Sequence, residues 1–209
     1  MASTARPYGG VSAEDRRAER RARLIEAGLE LLGERGWAGT TVRGVCAEAG
    51  LRERYFYESF GDRDRLLAAI FDSVAADAAK AVLAAITAAP HEAADKARAG
   101  IDAFVRMLAE DPRRARAMLV ESLGNETLRS RREQAFRSFA SLVSEQGRSF
   151  YGADEVAEVD SELTAVALVG GLAELVILWL DGSLAVSRER LVDHCAQLFV
   201  ASAQVSSRR

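Results

Sequence analysis

The sequence contains few of the residues that form disulfides, metal sites and catalytic centres. Its two cysteines are Cys46 and Cys195, and its two histidines are His91 and His194. These positions are far apart and fit neither a disulfide framework nor the spacing of metal ligands. Each cysteine falls on an apolar helical pattern, which predicts a small core residue. We therefore expect no disulfide, no metal and no cofactor.

Motifs of catalysis and of nucleotide binding are also missing. The chain has no G-x-S-x-G, no G-x-G-x-x-G and no P-loop, and no cysteine or histidine stands with a plausible catalytic partner. It has three prolines, and no segment shows strand-like alternation, low complexity or an internal repeat. The sequence therefore predicts an all-α protein that is not an enzyme.

The chain lacks the basic excess that many nucleic-acid-binding proteins carry. Its formal net charge is -3, and residues 1–72 hold equal numbers of basic and acidic side chains. Any affinity for DNA must then come from where arginines are placed and not from bulk charge. Residues 1–13 contain Pro and Gly but no apolar segment of a signal peptide, so we expect a disordered arm.

Two short helical patterns between Thr40 and Leu67 are typical of a helix-turn-helix. Thr41 is a good N-cap for the first helix, whose apolar face repeats at helical spacing. Gly50 can adopt the positive φ that a tight turn between helices needs. The second helix carries Phe56 and Phe60 on one side. A helix this short needs those two rings as anchors in neighbouring helices.

The opposite side of the second helix carries Arg54, Tyr55 and Glu58, with Tyr57 on the flank. Cationic, aromatic and hydrogen-bonding groups suit a major groove between two rows of phosphates. Arg54 and Glu58 are also four residues apart, so a simple ion pair along the helix is the alternative interpretation.

These residues resemble the DNA-binding domain of TetR-type transcriptional repressors. The resemblance runs from Arg21 to Leu67 and rests on Arg21, Leu24, Ala27, Gly36, Thr40, Thr41, Val42, Val45, Ala49, Gly50, Leu51, Tyr57, Phe60, Arg63 and Leu66. It implies that Thr41, Tyr57 and Arg63 touch phosphates and that residues 52–55 and 58 face the groove. The predicted DNA contacts are therefore Thr41, Arg43, Arg52, Arg54, Tyr55, Tyr57 and Arg63.

The chain departs from the family pattern at several of these positions. Arg52 and Tyr55 replace small hydroxyl residues, Arg63 replaces Lys, and Ser59 replaces His or Asn. Gly44 stands where an acidic residue often completes a capping box. The base preference of other family members therefore does not transfer to this chain.

Outside the motif, the pattern predicts seven further helices. One runs from Ala13 to Arg35, with Ser12 as its N-cap and Gly36 as its stop. The others are predicted at 63–88, 92–109, 112–122, 125–150, 157–181 and 187–204, so that the fold is a nine-helix TetR-like architecture. The arginine-rich run 16–23 has two readings, a solvated salt-bridged face or a helix end that contacts phosphates.

The domain limits follow from these elements. We expect the disordered arm at 1–13, the helix-turn-helix domain at 14–72, and a helical ligand-binding and dimerisation domain at 73–209. The helix at 157–181 is apolar on nearly every side, but Glu174 near its middle argues against a membrane span. Packing on two sides, against its own domain and against a partner subunit, explains the pattern better.

The resemblance implies that the last two helices form a dimer interface and that the second domain holds an effector. The candidates for the interface are Gly170, Gly171, Leu175, Leu178, Leu191 and Leu198; the last helix carries a stripe of Leu191, Cys195, Leu198, Phe199 and Ser202. The candidates for ligand contact are Phe104, Met107, Met118, Phe136, Phe139 and Trp179. Ordinary core packing is the alternative for each of them, and the embedded polar residues Glu121, Ser122, Asn125 and Glu174 favour a pocket.

The predicted function is a cytoplasmic, ligand-responsive repressor that binds a double-stranded, pseudo-palindromic operator as a homodimer. A small, largely apolar effector would release it. Two alternatives remain open at this point: a DNA-binding dimer without ligand control, and an all-helical enzyme or carrier.

Overall fold

The computed structural model describes residues 12–151 and 158–206, which form helices and no strand. The helices are α1 Ala13–Gly39, α2 Val42–Glu48, α3 Glu53–Ser59, α4 Arg63–Ala88, α5 Ala93–Glu110, α6 in three contiguous segments (Pro112–Ala115, Arg116–Val120 and Glu121–Gly124), α7 Glu126–Tyr151, α8 Glu158–Leu180 and α9 Arg188–Ser206. This confirms the all-α prediction. The predicted arm at 1–13 lies outside the described residues, except for Ser12 and Ala13, which begin α1.

The chain divides into two compact units, and the boundary falls within α4. The first unit ends at Ile70 and the second begins at Phe71. Since α4 is one helix from Arg63 to Ala88, it contributes its first two turns to one unit and the rest to the other. Asp62 accepts a hydrogen bond from the Arg65 amide at 2.8 Å and so caps the helix.

In the first unit, α1 begins and breaks where the sequence indicates. Ser12 and Asp15 form a capping box, in which each side chain accepts the other's backbone N–H. Gly36 has φ 68°, outside the helical region, which separates a last short turn from the main helix. The buried Thr40 hydroxyl donates to the Gly36 carbonyl at 2.8 Å and fixes this break.

The helix-turn-helix has the predicted geometry. The Thr41 hydroxyl accepts the Gly44 amide at 3.1 Å, and Gly50 takes φ 62° at the turn between α2 and α3. Phe56 is fully buried and Phe60 almost fully, so both rings anchor α3 in the core of the first unit. The other side of α3 is left towards solvent.

In the second unit, α5 and α9 run antiparallel. Arg98 pairs with Asp193 at 2.7 Å, and Arg188 pairs with Asp102 at 3.2 Å, so residue numbers rise on one helix as they fall on the other. Beneath these pairs α9 buries Leu191, Val192, Cys195 and Ala196. Cys46 and Cys195 are both buried free thiols, and burial raises the pKa of each. The prediction that they are core residues is confirmed.

The one irregular helix is α6, which was predicted as a single helix over 112–122. Asp111 caps its start by accepting the Arg113 amide at 3.1 Å, but residues 116–120 form a π-helical segment. The Ser122 hydroxyl donates to the Met118 carbonyl at 2.6 Å, a carbonyl within that segment. π segments are rare and concentrate at functional sites, and no apolar period announces them in a sequence.

Candidate DNA-reading face and effector cavity

The exposed side of α3 carries a preorganised pair of side chains. An Arg54 N–H donates to the Tyr55 hydroxyl at 2.6 Å, and the Arg54 guanidinium lies 4.5 Å from the centre of the Tyr55 ring. This hydrogen bond lowers the pKa of the Tyr55 phenol. The alternative ion pair between Arg54 and Glu58 was wrong, because Arg54 bonds Tyr55 instead and no ion pair joins it to Glu58 among the described residues.

Four arginines of α1 hold α3 and the turn before it. Arg17 donates to the Glu58 carbonyl at 3.0 Å, and Arg23 donates to the Ala49 carbonyl at 2.5 Å. Arg20 stacks 4.7 Å from the Tyr55 ring and Arg21 stacks 5.0 Å from the Phe60 ring. They therefore do more than form the solvated face considered for residues 16–23. They satisfy carbonyls near the ends of α2 and α3 that those helices cannot pair themselves.

Arg63 and Thr41 both have structural contacts in addition to their predicted role on phosphates. Arg63 donates to the Thr40 carbonyl at 3.2 Å and lies 4.3 Å from the Trp37 ring, which joins the start of α4 to the end of α1. A guanidinium has five N–H donors, so others remain for a phosphate. Thr41 uses its hydroxyl oxygen to cap α2 and keeps a hydroxyl proton to donate.

Arg43, Arg52 and Tyr57 are exposed around the turn and along α3. Tyr57 has 54% of its surface exposed, although its ring touches Phe56 edge to face at 5.5 Å between centroids. Neither Arg43 nor Arg52 forms an ion pair within the part of the chain that the structure describes. The face therefore presents free cations and hydroxyls together, which suits a phosphate-flanked groove.

The second unit encloses a cavity of about 190 Å³ between α4, α5, α6, α7, α8 and α9. Four of the six residues predicted for ligand contact line it: Phe104, Met118, Phe136 and Phe139. The rings of Phe104 and Phe139 meet edge to face at 6.0 Å. Most other lining side chains are aliphatic, so the interior suits an apolar molecule.

The charged residues of the lining all have the same sign. The described residues that line the cavity include Lys96, Arg132 and Arg148 but no Asp or Glu. Arg132 stacks 4.6 Å from the Phe136 ring, and the Lys96 ammonium lies 5.7 Å from the Phe150 ring. None of these three cations was among the residues predicted for ligand contact. The sequence did contain a signal for one of them, because Arg132 lies at helical spacing from the apolar residues Ala135, Phe136 and Phe139.

Comparisons with known proteins bear first on the helix-turn-helix unit. Residues 24–70 match the family described as bacterial regulatory proteins, tetR family, a range that holds all seven predicted DNA contacts. A putative transcriptional regulator from Pseudomonas aeruginosa PAO1 is 25% identical, with 95% of this chain and 99% of that chain covered and a TM-score of 0.76. The helix-turn-helix unit of this chain is therefore a DNA-binding domain of the tetR type. The comparison with curated proteins gave no match.

Two further solved structures share the TetR fold. The fatty acid degradation regulator FadR from Bacillus halodurans is 19% identical, covers 87% of this chain and 94% of its own, and has a TM-score of 0.74. FadR from Bacillus subtilis, solved in complex with stearoyl-CoA, is 18% identical, covers 87% of this chain and 98% of its own, and also has a TM-score of 0.74. The family matched by residues 24–70 is one of bacterial regulatory proteins and not of enzymes, which confirms that part of the prediction.

Two of the residues predicted for ligand contact lie away from the cavity. Met107 is buried in α5 but is not part of the lining. Trp179 donates its indole N–H to the Val186 carbonyl at 2.9 Å and so closes the connection between α8 and α9. Both side chains are large and apolar, and the sequence gives no separate sign of which large apolar residues border a void.

Three of the four polar residues that favoured a pocket have structural partners, and the fourth is exposed. Glu121 pairs with Arg116 at 3.3 Å, and Ser122 bonds a carbonyl of its own helix. Asn125 accepts the Thr127 amide at 2.9 Å as the cap of α7. Glu174 is exposed on α8. None of the four lines the cavity, so that argument for the pocket was wrong even though a cavity is present.

The residues predicted for the dimer interface fall into three groups by exposure. Gly171, Leu178 and Leu198 are exposed, whereas Leu191 has 3% of its surface exposed and belongs to the core of its own chain. The stripe on α9 is thus divided: Leu191 and Cys195 pack inward, Phe199 lines the cavity, and Leu198 points to solvent near the level where α5 begins. Gly170 and Leu175 are partly exposed on α8.

The helix α8 is also long and apolar enough to meet the criteria for a membrane span. Residues Glu162–Leu180 have a mean hydropathy of 2.2, and 17% of them are buried. Leu163 has 64% of its surface exposed, and Val166 and Leu178 are exposed as well. One such helix is weak evidence for a membrane, and TetR-family regulators are soluble DNA-binding proteins.

Proposed function

We propose that this chain is a cytoplasmic repressor that binds a pseudo-palindromic operator as a homodimer and is released by a small, largely apolar effector. The observation that carries the proposal is that one chain holds a cationic and aromatic α3 face in its first unit and an apolar cavity in its second. A DNA-binding dimer without ligand control would have no use for the cavity.

DNA reading is assigned to the exposed side of α3. Arg54 and Tyr55, held by Arg20 and by each other, are assigned to base edges. Thr41, Arg43, Arg52, Tyr57 and Arg63 surround them and are assigned mainly to phosphates. Phosphate contacts position the protein, whereas contacts to base edges in the major groove carry sequence information.

Dimerisation is assigned to the outward faces of α8 and α9. The exposed side chains Leu163, Val166, Leu178 and Leu198 support it, because soluble proteins rarely leave a large continuous apolar surface in water. A Cβ on Gly171 would meet no other atom within 4 Å, so this position is open for a partner helix. A two-fold dimer places two α3 helices on two half-sites, as a pseudo-palindrome requires.

Coupling between effector and DNA is assigned to α4. Phe71, Val82 and Ile86 of α4 line the cavity, and two ion pairs tie the same helix to other cavity walls. Arg131 of α7 pairs with Asp72, and Arg114 of α6 pairs with Asp77 at 3.5 Å. An effector that spreads these walls would shift α4, whose first two turns belong to the DNA-binding unit.

The proposal is tested by selecting operator sequences from random double-stranded DNA with the full chain. We expect an inverted repeat whose half-sites are centred about 34–36 Å, or a multiple of this, apart. Mobility shifts on the selected site should show two chains per site, and a screen of apolar molecules should yield one that releases the DNA. Selection of no site, or of a single half-site bound by one chain, would contradict the proposal.

A further inference from the structure

The shape of the cavity is set mainly by α7. Its lining residues recur in every turn of that helix from Arg132 to Phe150, which at the helical rise is about 27 Å. The walls contributed by α5 and α8 are shorter, from Ala93 to Phe104 and from Thr164 to Ala173. The space therefore extends along one helix axis instead of forming a rounded chamber, and a single flexible chain fits it better than a fused-ring body.

The charged residues of the cavity lining are all basic, although the chain as a whole is acidic. The protein has 31 acidic and 28 basic residues, yet the described residues around the cavity supply three cations and no carboxylate. No ion pair satisfies Lys96, Arg132 or Arg148 among those residues. Lys96 and Arg132 are half-buried and Arg148 is exposed, so the cations border an apolar lining with their charges within reach of a ligand, and an anionic ligand group is the partner that would pair with them.

Two of the three cations belong to the same end of the cavity. Lys96 lies in the first turn of α5 and Arg148 in the last turn of α7, and the Lys96 ammonium lies 5.7 Å from the ring of Phe150, two residues after Arg148. Arg132 lies about 24 Å away along α7 and stacks on Phe136. The interior between these ends is lined by Phe104, Met118 and Phe139.

We propose that the cavity binds a linear anionic amphiphile, with its carboxylate or phosphate between Lys96 and Arg148 and its alkyl chain along α7 towards Arg132. The inference rests on the proposed effector function and names the chemical class of the effector. Charge-assisted hydrogen bonds to the head group give the preference for an anion, and burial of methylene groups gives the affinity.

The test uses four twelve-carbon probes below their micelle-forming concentrations: dodecanoate, dodecyl phosphate, dodecanol and dodecyltrimethylammonium. Isothermal titration of the full chain should show that the anions bind at least about tenfold more tightly than dodecanol, which one charge-assisted hydrogen bond supplies. The relative affinity of dodecanoate and dodecyl phosphate tells a carboxylate site from a phosphate site. Equal affinities for anion and alcohol, tighter binding of the ammonium compound, or no binding of any probe would overturn the proposal.

Variants locate the head group. Lys96→Met and Arg148→Gln should each lower the affinity for the preferred anion about fivefold or more and leave that for dodecanol unchanged. Arg137→Gln is the matched control, because Arg137 is exposed on the same helix, pairs with Glu133 and does not line the cavity. Loss of the preference in Arg132→Gln but not in the other two variants would reject the placement of the head group.

A measurement on the unmodified protein covers the case in which a variant fails to fold. Added salt should weaken binding of the anions and not that of dodecanol, because only the anions pair with charges. Anion binding that leaves operator affinity unchanged would refute effector control while this site stands. Release of DNA only by a rigid, uncharged molecule would refute the amphiphile while the proposed function stands.

Discussion

The two units use the same pairing of a cation with an aromatic ring in opposite surroundings. On α3, Arg54 and Tyr55 meet at the protein surface, where water and salt screen the charge. In the cavity, Arg132 on Phe136 and Lys96 near Phe150 border an apolar interior. A charge in the first setting can select among DNA sequences at small cost, whereas a charge in the second is the proposed partner of a ligand anion.

The largest effect is expected at the proposed dimer interface, because operator binding and its control by an effector both depend on the dimer. Leu163→Glu combined with Leu178→Glu places two charges on the exposed apolar face of α8 and should convert the dimer to a monomer. Operator affinity should fall at least about a thousandfold, towards the non-specific level. Sedimentation and mobility shift measure the two effects.

The control for this change is Leu83→Glu, since Leu83 is 48% exposed on α4, outside the proposed interface. It should leave both assembly and operator binding unchanged. A double variant of α8 that remains dimeric would show that the interface lies elsewhere.

Removing a fully packed ring should lower the free energy of unfolding more than removing a ring that borders the cavity. Phe56→Ala removes a completely buried ring and should lower the free energy of unfolding by about 3–5 kcal/mol. Phe139→Ala should cost less, about 1–3 kcal/mol, because that ring is only partly buried and already faces a void. Denaturant unfolding at one protein concentration compares them. Equal losses of unfolding free energy would mean that side chains fill the cavity in solution.

Base preference should depend on Arg54 of α3, and overall affinity should depend on Tyr57 of the same helix. Arg54→Ala should relax discrimination by about 1–3 kcal/mol at one operator position. Tyr57→Phe removes one hydroxyl and should weaken binding to all sequences alike, by about 0.5–1.5 kcal/mol. Binding to a set of singly substituted operators measures both. Unchanged discrimination in Arg54→Ala would remove this residue from base reading.

The smallest effect concerns the titration of Tyr55. Arg54 lowers the pKa of this phenol, so Arg54→Ala should raise it again, as seen in the phenolate absorbance at alkaline pH. A depressed folded-state pKa stabilises the fold fully only above the ordinary tyrosine pKa and loses that effect as the pH falls through the folded value. Near neutral pH the ionisation of Tyr55 should therefore not affect stability. A phenol that titrates alike in both proteins would contradict the hydrogen bond.

The sequence predicted those parts of the first unit that rest on local contacts or on helical spacing. The Thr41 cap and the turn at Gly50 involve neighbours in the chain, and the helical spacing of Phe56 and Phe60 places both rings on one side of α3; all have the predicted geometry. The hydrogen bond from Arg17 to the Glu58 carbonyl joins residues 41 positions apart and was not predicted. No period or spacing in a sequence encodes such a contact.

The cavity depends on still longer-range packing. Helical periodicity identified Phe104, Met118, Phe136 and Phe139 as inward-facing residues, but it gave Met107 and Trp179 the same status. Whether an inward side chain meets a void depends on six helices that come together from the whole second unit. The cations of the lining were overlooked because long basic side chains usually place their charge in water.

The central claim is that the cavity and the α3 face are coupled, and calorimetry tests it most directly. Dodecanoate, or whichever amphiphile binds best, is titrated into the protein with and without the selected operator, and operator is titrated with and without that ligand. Linkage requires both affinities to fall by the same factor, typically about 5–150-fold. Equal ligand affinities in the presence and absence of operator would contradict the account, because a ligand indifferent to DNA cannot release the repressor.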